Sequence, residues 1–241
     1  MPEPAHIPEG TAIPDLTAPP MGKAEVIDFA AVVSRRAEKF GQTIDTLSAG
    51  IATRGREAAD SLARADFPPE AQAEAARKAE AKARKEVVTN STDRRWDMLK
   101  ELKAAEDTTR TTAALFASPQ AVLARAGLGT TERTNFEAQL AGSGPAQLLN
   151  LATFAIATKN AVLGAALCAV CERMPRRERP FSPADLADRL VGEETRAVQA
   201  AIETIRAAAQ RAIVANREFE RGRVNPLDRV KVALKSQKEA N

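Results

Sequence analysis

The chain has 241 residues with 35 Lys and Arg against 32 Asp and Glu, one His, two Cys, one Trp and no Tyr. Alanine, the best helix former, fills 50 positions while strand-favouring aromatics are scarce, so the composition predicts an all-α protein. One histidine and two cysteines exclude a disulfide framework and most zinc, Ser-His and Cys-His chemistries; no metal or cofactor is expected, and the chain reads as a non-enzyme.

Residues 1–22 hold six prolines between Pro2 and Pro20, a density that forbids a helix and predicts an extended arm able to lie on a neighbouring subunit. His6, in this arm, has no rigid surroundings to make it a ligand or a base. The first residues show neither a basic nor an apolar signal region, so synthesis in a reducing cytoplasm is expected.

Residues 23–117 read as long helices. Val26, Ala30, Val33, Ala37, Phe40, Ile44, Leu47 and Ile51 alternate steps of four and three, a coiled-coil-like seam at period 3.5 that asks for a partner helix. Val26, Val33, Phe40, Ile44, Leu47 and Ile51 are its candidate oligomer contacts. Phe67-Pro68-Pro69 breaks the chain, and "EAQAEAARKAEAKARKE" then has no large apolar side chain. Such a helix is held by propensity and by Glu74–Lys78 and Glu80–Arg84 pairs in the favourable order, as in helices that project from a body. Trp96, Leu99, Leu102 and Phe116 then restore an apolar face.

Residues 118–224 read as a central bundle. Ser118-Pro119, Ser182-Pro183-Ala184-Asp185 and Asn225-Pro226-Leu227-Asp228 share the grammar of a helix start: a polar cap, proline first, and in the last two an acid in the first turn. Residues 145–174 form the most apolar stretch, expected as one buried helix central to the bundle. The length of 145–171 suffices to span a bilayer, but Thr158-Lys159-Asn160 interrupts it, so membrane insertion is the weaker reading. A further long helix is expected over 183–221 and a basic helix or tail over 225–241.

Cys168-Ala-Val-Cys171 closes the apolar stretch. Without further ligands or a preceding strand it reads as packing rather than as zinc or redox chemistry. The bend that follows, "ERMPRRERP", places Arg173, Arg176, Arg177 and Arg179 beside two glutamates as candidate contacts to phosphate or an acidic partner. Arg221, Arg223, Arg229, Lys231 and Lys235 extend that candidacy into the C-terminus, where Arg206 to Asn241 holds nine basic and four acidic residues.

The expected architecture is an elongated helical bundle with a coiled-coil-like N-terminal region and a proline-rich arm. Its expected role is a non-catalytic subunit of a large homo-oligomeric or structural complex. Alanine-rich helices with small polar connectors resemble bacteriophage virion and assembly proteins in head-to-tail connection, internal or ejection, and scaffold roles, although no motif carries the resemblance. Nucleic-acid association through the basic C-terminus is the alternative, and membrane insertion through 145–171 the second.

Overall fold

The computed structural model describes residues 19–222. Residues 1–18, with His6 and most of the proline-rich arm, lie outside the described residues, as do Arg223, Arg229, Lys231, Lys235 and the expected C-terminal helix. The described residues are all-α, with no strand among them. Nine α-helices occur in this span: α1 Lys23–Ala63, α2 Pro69–Asn90, α3 Thr92–Thr108, α4 Arg110–Leu115, α5 Pro119–Arg125, α6 Thr131–Leu140, α7 Pro145–Thr158, α8 Ala161–Arg173 and α9 Pro183–Arg221, with a 3-10 turn at Arg176–Glu178. The chain divides into two units, each discontinuous in sequence: Met1–Ile27 with Thr108–Ile202, and Asp28–Asp107 with Glu203–Asn241.

In the first unit, α8 is the central element. Leu163, Ala166 and Leu167 bury against Leu140, Leu148, Ala152, Ala155 and Leu186, Ala165 packs with Leu123, Ala187 and Val191, and Cys171 is fully buried. The caps form as the sequence dictates: Ser118 Oγ accepts from the Ala121 N–H at 3.2 Å and Ser182 Oγ from the Asp185 N–H at 3.4 Å. Between α5 and α6, Gly127 turns with φ 63°, where a Cβ would meet Val162 Cγ1 at 2.6 Å. The N-terminal approach is pinned where the Met21 N–H donates to Thr112 Oγ1 at 3.0 Å.

The single helix expected over 145–174 is corrected to two. Lys159 takes the left-handed conformation at φ 52°, its N–H and that of Asn160 close back onto Ile156 and Ala155, and Asn160 Oδ1 caps α8 by accepting from the Leu163 N–H at 2.9 Å. Both helices bury apolar stripes, so the hydropathy runs on while the backbone stops. α7 is not buried all round either: Leu149 and Phe154 are exposed. No helix among the described residues is long and apolar enough to cross a membrane, which weighs against the alternative of insertion through 145–171.

In the second unit, the α1 seam turns inward. Val33, Phe40, Ile44 and Ile51 are buried and Leu47 half-buried within the single chain; Val26, in the first unit, is buried too. Ala37, Phe40 and Gly41 face Ala212 and Ala215 of α9 around a cavity of about 160 Å³. The partner helices that the period asks for are therefore the chain's own, which leaves these side chains covered rather than offered to another subunit.

The face expected on α3 is also corrected. Leu99 and Leu102 are buried, but Trp96 is 49% exposed and Arg95 takes the inward position at 0%. Arg95 Nη1 pairs with Glu220 Oε1 at 2.9 Å and donates to Asn216 Oδ1, Nη2 donates to the Val88 carbonyl at 3.1 Å, and Nε to Ser91 Oγ at 3.0 Å. Its guanidinium lies 5.1 Å from the Phe219 ring centroid, within cation–π range. Arg84, expected to pair with Glu80, instead donates to the Phe219 carbonyl at 3.2 Å.

α1 and α2 form a helical hairpin. Asp66 turns with φ 57°, the Phe67 N–H returns to the Leu62 carbonyl, and Gln72 Nε2 donates to the Phe67 carbonyl at 2.8 Å. Arg54–Glu86 at 2.8 Å and Gly55, buried under Glu80, tie the base of the hairpin together. Beyond Gly55 and before Ala83 no residue is buried, and Phe67 stands 49% exposed at the tip.

Candidate anion-binding bend

Four arginines of the bend after α8 were candidates for one site, and the structure divides them. Arg179 is spent on the helix end: Nε donates to the Met174 carbonyl at 3.1 Å and Nη2 to the Glu172 carbonyl at 2.9 Å, satisfying groups that the last turn leaves open. Arg173 reaches Glu137 Oε2 of α6 at 3.3 Å. Arg176 and Arg177, on the exposed 3-10 turn, make no ion pair among the described residues. Two unneutralised guanidinium groups on adjacent residues are thus left from the four.

Arg133 is the arginine that sequence reasoning passed over here. It pairs with Glu137 Oε1 at 3.0 Å and donates to the Ala126 carbonyl at 3.2 Å, closing the C-terminal end of α5. Glu137 therefore sits between Arg133 and Arg173 and joins α6 to α8. The signal was available in the i,i+4 spacing of Arg133 and Glu137, but the order, base before acid, is the less favourable one for an isolated helix. Arg221 closes α9, exposed.

The two thiols sit on the inner side of the bend. Cys171 Sγ donates to the Phe181 carbonyl at 3.5 Å and Cys168 Sγ to the Pro183 carbonyl at 3.7 Å. Burial pushes the Cys168 thiol up to about 12, helped by the nearby Glu172 carboxylate, and burial also raises Cys171. Both are held as thiols, the opposite of what a nucleophilic or metal-binding pair requires. A cavity of about 50 Å³ beside Cys168, edged by Gln120, Arg133, Glu172 and Pro183, has room for a few waters. No group of three or more His, Cys, Asp or Glu suited to a metal ion occurs among the described residues. The bend can therefore offer positive charge and hydrogen-bond donors to an anion, with the thiols packed behind it.

Comparison of the chain with protein-family models, with curated proteins and with solved structures finds no match.

Proposed function

We propose that the chain is a non-catalytic helical subunit of a larger oligomeric assembly. The observation that carries this reading is the distal part of the α1–α2 hairpin, where no residue of 56–82 is fully buried and Ala58, Leu62, Ala75 and Ala79 are only half-covered within the chain. Two helices alone in water cover little of each other's apolar surface, and most helix stability in proteins comes from such covering. A long element that its own chain covers only in part, tipped by an exposed phenylalanine, is suited to contact with other molecules. A virion setting, in a connecting, internal or scaffolding role, matches the alanine-rich helical style and is the context we favour for such a subunit.

Light scattering on the purified chain tests the reading. A mass above the 25.8 kDa of one chain at micromolar concentration is expected, and a monomer throughout that range would remove its support. A second reading, association with nucleic acid or another polyanion, is favoured by the unpaired Arg176 and Arg177 on the bend. Retention of the chain on a heparin column at low salt, with elution as salt rises, is its expected mark.

A further inference from the structure

The outer face of α2 carries a stripe at four-residue steps: Glu70, Glu74, Lys78 and Lys82. At 100° per residue these four fall along one side of the helix, away from Ala76, Ala79 and Ala83, which face inward. All four are exposed. Only the middle step, Glu74–Lys78 at 2.7 Å, is an ion pair; Glu70 and Lys82 form none among the described residues.

This order does not serve an isolated helix. Glu70 beside Glu74 and Lys78 beside Lys82 are like charges at i,i+4, each destabilising. The next step, Lys82 to Glu86, is opposite in sign, but Glu86 is engaged by Arg54 at 2.8 Å and forms no ion pair with Lys82 among the described residues. The helix dipole accounts for Glu70 in the first turn, but its influence fades before Glu74, and Lys82 lies well before the end of α2 at Asn90. No side chain of α1 supplies the missing opposite charges within ion-pair distance.

A second copy would. We infer that two copies of the chain associate through this face, antiparallel about a twofold axis passing beside Ala76. Glu70 then lies opposite Lys82 of the other copy and Glu74 opposite its Lys78, and the twofold repeats both pairs, giving four cross-pairs from one self-complementary stripe. The stripe spans about 18 Å at 1.5 Å per residue. Ala71 and Ala75, half-buried at its edge, leave the two backbones free to approach closely. A parallel arrangement would set like charges on like, so the pattern selects the orientation as well as the partner. Phe67, at each tip, lies beyond the acidic end of the stripe and so falls beyond the basic end of the other copy's stripe.

The inference deepens the assembly reading, on which it rests for the presence of a partner. It is tested on the full chain by sedimentation equilibrium at low salt, with three variants. Glu70→Lys with Glu74→Lys makes the stripe wholly basic; Lys78→Glu with Lys82→Glu makes it wholly acidic. Each turns all four cross-pairs repulsive and is expected to weaken self-association on the order of a hundredfold. The fourfold variant E70K/E74K/K78E/K82E inverts the stripe, keeps its self-complementarity and is expected to associate as the parent does. An equimolar mixture of the two double variants is expected to regain association, a second readout should the inverted helix fold poorly; circular dichroism at 222 nm monitors that folding. If the parent assembles while either double variant assembles equally well, the stripe is not the contact and the inference fails, with the assembly reading intact. If the parent is a monomer, both fall.

Discussion

Replacing Arg95 by alanine probes the second unit at its most buried charge. The substitution removes a guanidinium at 0% exposure, takes the Arg95 donor from Asn216 Oδ1 and from the Glu220 carboxylate, and leaves the Val88 carbonyl only the Thr92 hydroxyl, at 2.7 Å, and the longer Ser91 contact. Breaking a fully buried pair costs about 3–5 kcal/mol. Here the Glu220 side chain is 36% exposed and keeps the Asn216 amide at 3.1 Å, so water and Asn216 compensate part of the loss. Removing the aliphatic stem and the contact with Phe219 restores some of the cost, and about 3 kcal/mol is expected in total. Arg95→Met, which keeps the stem, should lose less, about 1–2 kcal/mol. Urea unfolding followed by far-ultraviolet circular dichroism reads the effect; at a slope of about 2 kcal/mol/M the Arg95→Ala midpoint falls by about 1–2 M. Arg94→Ala, an exposed neighbour, serves as the control and should stay within about 0.5 kcal/mol of the parent. A midpoint for Arg95→Ala equal to that of the control would refute the assigned role.

The remaining expectations concern the first unit. Gly127→Ala places a Cβ at φ 63° and against Val162 Cγ1, and should cost about 1–3 kcal/mol in the same urea assay. Native Cys168, with its thiol held up at about 12 against an ordinary 9.0, should react with iodoacetamide about a thousandfold more slowly at pH 8 than in the urea-unfolded chain. The same shift has a pH consequence: below 9 both states keep the proton, whereas between 9 and 12 only the unfolded state releases it, so stability falls as pH rises through that window. Arg176→Glu with Arg177→Glu should abolish heparin retention at low salt while leaving the urea midpoint unchanged, since neither side chain is paired or buried.

The helices were largely written in the sequence. Pro183 and Arg221 bound α9 where proline, cap and periodicity place them, and Phe67-Pro68-Pro69 ends α1 and starts α2 as expected. The seam at period 3.5 correctly gave the inward face of α1, but periodicity records only that a face is covered, not whether the cover comes from the same chain. Lys159 hid the break between α7 and α8 because a lysine in the left-handed conformation has no sequence signature as strong as glycine, and only Asn160 marked the cap. Arg95 shows the opposite failure. It stands four before Leu99 and seven before Leu102, on the buried face, but its acidic and amide partners come from Glu220 and Asn216, more than a hundred residues away. The bend arginines were found as a group; which of them are spent on Glu137 and on helix carbonyls depends on how α6 and α8 pack. The division into two discontinuous units follows from the 39-residue α9 contributing to both, a property of contacts rather than of local pattern.

The mass of the full chain in solution, measured by sedimentation equilibrium at low and at high salt, bears most directly on self-association through the α2 stripe. At low salt and micromolar concentration the expected mass is twice 25.8 kDa, falling toward 25.8 kDa as added salt screens the exposed pairs. A mass of 25.8 kDa at every concentration and salt would contradict it.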